Sequence, residues 1–175
     1  ATAAVGATAS GDLLNVQVRD NLDYLSSAHG AVKVRLDANQ SINNTSLTAV
    51  AWTTADWNVG PSWASASGSK IVPSEPGIWE FVPTIDFAKN SSGNRYGVLR
   101  VDGDTALEYP LQSVLCLSAT NESLVLTGEQ RIELTTSQYV ELYAYQNSGA
   151  ALNLLGLGSS APNPLTAMTA RWVSS

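Results

Sequence analysis

The sequence predicts an all-β domain, a sandwich or jelly roll, with one short α-helix in front of it. From Ala31 onward, apolar and polar residues alternate with a period of two in many short segments, which is the pattern of half-buried strands. Turn-forming residues separate these segments at short intervals, as in antiparallel sandwiches. The segment Gly11 to Ser27 instead has the spacing of a helix. We therefore predict two parts: a flexible start and helix in residues 1–30, and one β domain in residues 31–175.

The predicted helix carries a coiled-coil seam. Its seam residues are spaced four, three and four apart: Leu14, Val18, Asn21 and Leu25. A helix of about 16 residues is marginal in water unless it packs on a partner surface. One polar residue in such a seam tends to set register and oligomer state at a cost in stability, which is the role predicted for Asn21. The alternative is that the helix packs on its own β domain.

One β segment places a row of tyrosines on a single face. In "SQYVELYAYQN", Val140 and Leu142 alternate with polar and aromatic neighbours that include Tyr139, Tyr143 and Tyr145. Because successive strand residues point to opposite faces, the tyrosines share the face opposite Val140 and Leu142. We interpret this face as a second buried layer or a subunit interface, with a binding surface as the third option. A long strand is also predicted over Ile78–Phe87.

Composition argues against several classes of partner. The formal net charge of −6 and the lack of any Lys/Arg cluster argue against binding nucleic acid. No apolar run approaches the roughly 18–20 residues of a membrane span, so membrane insertion is not expected. A single cysteine, Cys116, excludes an intrachain disulfide, and its apolar neighbours predict a buried strand residue. The chain begins at Ala1 and its only methionine is Met168, which predicts a processed product or a domain of a longer protein.

The residues needed for most catalysis are missing from the sequence. His29 is the only histidine and lies at the predicted junction between helix and first strand, so no base is expected beside a serine or cysteine nucleophile. No set of His and Cys could hold a transition metal, and Asp102-Gly103-Asp104 is interpreted as a turn rather than a calcium site. Paired carboxylates could hydrolyse a glycoside, with the candidates Glu75, Glu80, Asp86, Asp102, Asp104 and Glu108. Their spacing shows no convergence, so we predict no enzyme, no metal and no cofactor.

Tryptophans point to a possible ligand site. Trp57 and Trp63 lie in a segment rich in Gly, Pro, Asn and Ser, where an exposed indole would form a flat platform for a sugar ring. The predicted ligand-binding residues are Asp56, Trp57, Asn58 and Trp63. The alternative is that these rings cover one end of the sandwich. Three other tryptophans are predicted to be structural: Trp52, Trp79 and Trp172.

The helical segment resembles a segment common in fibre, spike and tail proteins of tailed bacteriophages. The pattern is a threonine-capped helix with a Leu-Asn pair, then Val-Arg-Asp-Asn-Leu and an apolar end. Here it falls on Thr8, Leu14, Asn15, Val18, Arg19, Asp20, Asn21, Leu22 and Leu25. The run from Val18 to Leu22 is its most specific part.

The β domain resembles the jelly rolls of the complement component 1q and tumour necrosis factor superfamily. The superfamily pattern is Ile-x-Pro-x-x-x-Gly-x-aromatic, then an apolar strand, Asn-x-x-Gly-x-Arg and an Asn/Asp-Gly hairpin. In this chain it comprises Ile71, Pro73, Gly77, Trp79, Phe87, Asn90, Gly93, Arg95, Asp102 and Gly103. The region Gly128–Arg131 resembles a further superfamily motif, with Glu129 in place of Asp. The resemblance implies a ten-stranded jelly roll that assembles as a homotrimer, with the row Tyr139, Tyr143 and Tyr145 at the threefold axis. It also implies that the first and last strands lie side by side.

Together these resemblances imply the receptor-binding head of a trimeric phage fibre, spike or tail protein. Such a head would lie on the virion surface, join an upstream fibre or virion protein, and bind a host cell-surface polysaccharide by multivalent adhesion. A structural trimerisation domain without adhesion is the alternative. A polysaccharide-degrading fibre tip and a bacterial lectin are weaker alternatives.

Overall fold

The computed structural model describes residues 29–60, 62–115, 124–158 and 166–175. The predicted helix with its seam residues Leu14, Val18, Asn21 and Leu25 lies outside the described residues, as does Cys116, so the boundary at residue 30 stays a prediction. The described part is almost entirely β structure, with one turn of 3-10 helix at Ser65–Ser67. The all-β class is confirmed. The count of ten strands is not, since the described residues form thirteen strands.

The strands in chain order are β1 (Ala31–Arg35), β2 (Gln40–Ile42), β3 (Ser46–Ala49), β4 (Thr54–Val59), β5 (Lys70–Ile71), β6 (Gly77–Phe87), β7 (Asn94–Val101), β8 (Glu108–Leu115), β9 (Leu124–Thr127), β10 (Gln130–Leu134), β11 (Val140–Gln146), β12 (Leu152–Leu154) and β13 (Ala167–Ser174).

These strands form two antiparallel sheets with one core between them. The eight-stranded sheet has the order β2-β12-β6-β13-β1-β4, with β9 and β10 also paired to β6. The five-stranded sheet has the order β3-β11-β7-β8, with β5 also paired to β11. Inward-pointing side chains of both sheets, such as Phe81 and Leu142, meet in the same buried cluster. The fold is therefore a β-sandwich, in which each sheet keeps one outer face.

Strand β6 organises the eight-stranded sheet because it is long enough to pair with several strands. Glu80 lies between Arg171 of β13 and Arg131 of β10. Further along, Thr84 lies between residues of β13 and β9. The predicted long strand Ile78–Phe87 is thus confirmed, and it begins one residue earlier, at Gly77.

The first and last described strands lie side by side, as the resemblance implied. β1 pairs with β13 from Ala31 opposite Arg171 to Arg35 opposite Ala167. The backbone N–H of Trp172 also donates to the carbonyl of Gly30, at 2.8 Å. A segment that precedes residue 29 is therefore attached at the end of the sandwich where β13 finishes.

Candidate interaction surfaces

The outer face of the eight-stranded sheet exposes large apolar side chains. Trp57 lies opposite Lys33 and Val82 opposite Thr169, and residues opposite each other in a sheet point to the same side. Four side chains on this face are each about two-fifths exposed: Trp57, Val59, Val82 and Val173. We call these four residues the aliphatic–indole face. Four of the seven large apolar side chains that are exposed among the described residues thus lie on this face, together with polar residues such as Lys33 and Thr169. This share favours the face as a site of interaction.

Trp57 is held near the edge of this face by a local irregularity. A register shift between Lys33 and Val34 brings both Asp56 and Trp57 beside β1. The Asp56 carboxylate binds Arg35 Nε at 2.5 Å and Lys33 Nζ at 3.1 Å. The hydrogen bond from Arg35 is the main cause that holds the pKa of Asp56 below its usual range. Asp56 is thus paired with two cations of β1, and the Trp57 ring lies exposed next to this pair.

The side chains of Asn58 and Trp63 form hydrogen bonds with the backbone of the loop between β4 and β5. The Asn58 amide donates to the carbonyl of Trp63 at 2.7 Å and accepts from the backbone N–H of Ser62 at 3.0 Å. Trp63 is only 9% exposed and belongs to the core, and its indole N–H donates to the carbonyl of Gly68. Its ring is therefore not an exposed platform. Of the predicted ligand-binding residues, only Trp57 presents an aromatic ring at the surface.

A buried carboxylate lies between two arginines near the middle of the same sheet. Glu80 is 4% exposed, and it binds Arg131 Nη2 at 2.9 Å and Arg171 Nε at 2.7 Å. Burial would raise the pKa of Glu80, but the hydrogen bonds and charges of the two arginines outweigh it and hold the pKa below its usual value. Both arginine side chains remain about three-fifths exposed. The cluster therefore presents two cationic groups on the same outer face of the sheet, with Arg171 between Val59 and Val82 of the aliphatic–indole face.

The other carboxylates considered for glycoside hydrolysis have structural partners. Glu75 accepts from the backbone of Gly30, and Asp102 from the backbone of Tyr139. Asp104 accepts from the backbone of Ala106, Glu108 pairs with Arg100, and Asp86 is fully buried. Asp102 and Gly103 both have positive φ, which supports the predicted turn at Asp-Gly-Asp. Each of these carboxylates thus has a place in a turn, a strand pair or the interior.

The outer face of the five-stranded sheet carries aromatic rings with polar tips. Tyr145 lies opposite Tyr96, and their rings stack with centroids 4.7 Å apart. The Arg100 guanidinium lies 4.7 Å from the centre of the Tyr143 ring, and Lys70 Nζ lies 4.0 Å from the centre of the Tyr139 ring. We call these four tyrosines, Tyr96, Tyr139, Tyr143 and Tyr145, the tyrosine face. Since Val140 and Leu142 are fully buried, the prediction that the tyrosines point away from them is confirmed. Their place in a subunit interface stays a prediction.

Glu141 anchors one end of the tyrosine face. It is 6% exposed and accepts hydrogen bonds from the Tyr143 hydroxyl at 2.9 Å and from Ser69 Oγ. A Cβ placed on Gly103 would lie 3.4 Å from the Tyr139 hydroxyl and 3.9 Å from Glu141 Oε2, so the turn after β7 lies close to these groups. Burial, followed by the hydrogen bond to Glu141, raises the pKa of Tyr143, and burial raises the pKa of Tyr96. Both hydroxyls therefore stay protonated at neutral pH.

The tyrosine row on β11 was predicted from the sequence, but the residues that contact it from other strands were not. Tyr96 and Arg100 come from β7, and Lys70 comes from β5. The alternation of "NRYGVLRV" places Tyr96 and Arg100 on one face of their strand. Only the pairing of β7 with β11 places them beside the tyrosine row.

Two classes of site are not found in the described residues. Within the described ranges, no group of three or more His, Cys, Asp and Glu residues is placed to hold a metal ion. In the same part of the chain, no helix is long and apolar enough to cross a membrane.

Comparison with solved structures identifies the fold. No protein-family model matches the sequence, and no curated protein is significantly similar to it. The globular domain of zebrafish complement 1qA protein matches at 14% identity with a TM-score of 0.53, over 82% of this chain and 97% of that chain. Eiger TNF from S. frugiperda matches at 10% identity with a TM-score of 0.60, over 83% and 94%. Murine APRIL matches at 13% identity with a TM-score of 0.57, over 83% and 99%. At these identities the likeness shows the fold, a complement 1q/TNF-like jelly roll.

Proposed function

We propose that this chain is the homotrimeric head of a fibre, spike or tail protein on the surface of a tailed bacteriophage or phage-like particle. In this proposal it binds a polysaccharide of the host cell surface and joins an upstream fibre or virion protein. Two features support the origin and the role: the resemblance of Thr8–Leu25 to phage fibre segments, and a jelly roll that continues from it. The proposal assigns no catalytic step and no cofactor to the chain.

The single observation that carries the trimer is the aliphatic–indole face. Trp57, Val59, Val82 and Val173 expose apolar surface on one side of the sandwich, and covering it removes that surface from water. This face includes β1, which the chain enters directly from residues 1–28. Three helices joined through the predicted seam would hold three copies of β1 at high effective concentration. We therefore place the subunit contact on the eight-stranded sheet, in preference to the tyrosine row.

Light scattering coupled to size exclusion tests the assembly. The full chain should elute with three times the 18.4 kDa mass of one chain. Val82→Glu puts a charge into the proposed contact and should shift the protein towards monomer. Leu107→Glu is the matched control, because Leu107 is exposed in the turn between β7 and β8 of the other sheet. A monomeric wild type, or equal elution of all three proteins, would overturn the trimer.

Biolayer interferometry with purified host-envelope polysaccharides tests adhesion. The trimer should bind with an affinity that falls sharply when it is dissociated, because three weak sites act together. A stable trimer without binding to any envelope polysaccharide would favour the alternative, a structural assembly domain. Release of reducing ends from the polysaccharide would instead favour a degrading enzyme.

A further inference from the structure

We infer that the polysaccharide binds on the tyrosine face of the five-stranded sheet and not at Trp57, and that the preferred ligand is uncharged. The inference rests on the proposed function and deepens it by naming the surface and the class of sugar. In the proposed trimer the aliphatic–indole face is covered by neighbouring copies. The tyrosine face lies across the core from it, on the other sheet.

The tyrosine face has the mixed chemistry that a sugar needs. A pyranose presents apolar C–H groups on its ring faces and hydroxyl groups around its rim. The stacked pair Tyr96 and Tyr145 supplies flat apolar surface, with Leu47 of β3 directly opposite Tyr145. The hydroxyls of Tyr139 and Tyr143 at the other end supply hydrogen-bonding groups, and the buried Glu141 holds the Tyr143 hydroxyl in place. Binding sites for small polar ligands combine such apolar surface with a few placed polar groups.

The side chains of this face are already held in place. Tyr96 and Tyr145 stack on each other. The Tyr143 ring contacts the Arg100 guanidinium, and its hydroxyl donates to Glu141. The Tyr139 ring is covered by Lys70 Nζ. A side chain that is ordered before binding loses little conformational entropy when the ligand arrives, which favours affinity. By contrast, the exposed ring of Trp57 has no stacked aromatic partner among the described ring pairs.

The charges of the face favour an uncharged polysaccharide. Lys70 and Arg100 contribute two positive charges. Glu108, Glu141 and Asp102, which accepts from the backbone N–H of Tyr139, contribute three negative charges. Arg100 Nε donates to Glu108 Oε1 at 2.7 Å, so that pair is neutralised locally. This set of charges gives no net attraction for an acidic chain, while the donors and acceptors suit hydroxyl groups. The occupant that matches this face is a neutral, hydroxyl-rich glycan.

The test measures binding of trimeric protein to immobilised polysaccharides of two classes. The neutral probes are dextran, mannan and arabinogalactan, and the acidic probes are alginate and polygalacturonate. Wild type should bind at least one neutral probe and neither acidic probe. Tyr96→Ala with Tyr145→Ala should weaken that binding at least tenfold. Leu157→Ala is the control and should change it less than twofold, because Leu157 is exposed and its backbone is hydrogen-bonded to Leu36, next to the end of β1 in the other sheet.

Two further variants guard against misfolding as the explanation. Tyr143→Phe keeps the ring and removes only the hydroxyl, so it should weaken binding several-fold with an unchanged far-ultraviolet spectrum. Glu108→Lys replaces the carboxylate beside Arg100 with an ammonium group and gives the face a net positive charge. This variant should gain alginate binding that the wild type lacks, which a merely structural role for Glu108 would not produce.

The outcomes separate the inference from the proposed function. If Trp57→Ala, measured on the fraction that elutes as trimer, abolishes binding while the tyrosine variants do not, adhesion stands and the inference is overturned. Preferential binding of acidic probes by wild type also overturns it. If the trimer binds neither host-envelope glycans nor any probe, the proposed adhesion fails and the inference falls with it.

Discussion

The imidazole of His29 stacks on the indole of Trp172, with ring centroids 4.2 Å apart and planes 17° from parallel. His29 Nδ1 also lies 3.4 Å from Glu75 Oε2, and Glu75 Oε1 accepts from the backbone N–H of Gly30 at 2.8 Å. The Trp172 N–H donates to the carbonyl of Pro76 at 3.0 Å. The start of the described chain is therefore packed against the last strand.

Removing this stack should destabilise the domain. We expect Trp172→Ala to lower the free energy of unfolding by about 2 kcal/mol, less than for a fully buried tryptophan because Trp172 is only partly buried. Urea denaturation followed by circular dichroism measures the change. Leu107→Ala is the control, since its side chain is exposed outside the proposed subunit contact and should contribute less than about 0.5 kcal/mol. Equal effects of the two substitutions would contradict the structural role of the stack.

The ion pairs of Glu80 with Arg131 and Arg171 should make the free energy of unfolding depend on pH. Because the folded-state pKa of Glu80 is below its ordinary value of 4.5, the unfolded chain binds more protons as the pH falls through this range. The stabilisation is present above pH 4.5 and is lost as the pH falls through the lower, folded-state pKa. Glu80→Gln should cost about 1–2 kcal/mol at pH 7, since its arginine partners are largely exposed to water.

Unfolding measured in urea between pH 3 and pH 7 checks this prediction. The difference in stability between wild type and Glu80→Gln should shrink as the pH falls. If this difference stayed constant across the pH range, the negative charge of Glu80 would not be the cause of the stabilisation. Glu133→Gln, an exposed carboxylate on the neighbouring strand β10, is the matched control and should show little difference at any pH in this range.

Gly77 should tolerate no side chain. Its φ is 133°, and a Cβ there would lie 2.3 Å from the carbonyl oxygen of Ser174 and 2.7 Å from Trp172 Nε1. We expect Gly77→Ala to cost at least about 2 kcal/mol, from both backbone strain and the collision. Gly149→Ala separates the two causes, because Gly149 has a φ of 97° but open space around it. Thermal unfolding should show a clearly smaller loss for Gly149→Ala, and equal losses would rule out the collision.

The predicted seam should strengthen the proposed trimer. Replacing Leu14 and Val18 together by serine removes two apolar seam residues, so we expect the dissociation constant of the trimer to rise at least tenfold. Sedimentation equilibrium over a range of concentrations measures it. Leu13→Ser is the control, because Leu13 lies outside the seam. If the double variant dissociates no more readily than the control, the helix is not an assembly element.

Three features could be predicted from the sequence alone: the β class, the long strand through Ile78–Phe87, and the placement of the tyrosine row on the face opposite Val140 and Leu142. These follow from alternation, which is local and depends only on the period of a strand. The exposure of Trp57 and the burial of Trp63 could not be predicted in this way. Both lie in similar polar segments, and the difference comes from how the loop before β5 packs on the core.

The pairing of strands could not be predicted from the sequence and is known only from the folded structure. The partners of Glu80 come from β10 and β13, and the tyrosine row meets Arg100 because β11 pairs with β7. Such pairs join residues far apart in sequence, and they form only where the packing of two whole sheets brings the strands together. Alternation along the sequence therefore predicts which side chains share one face of a strand. The pairing of strands in the folded sandwich determines which residues of other strands lie beside them.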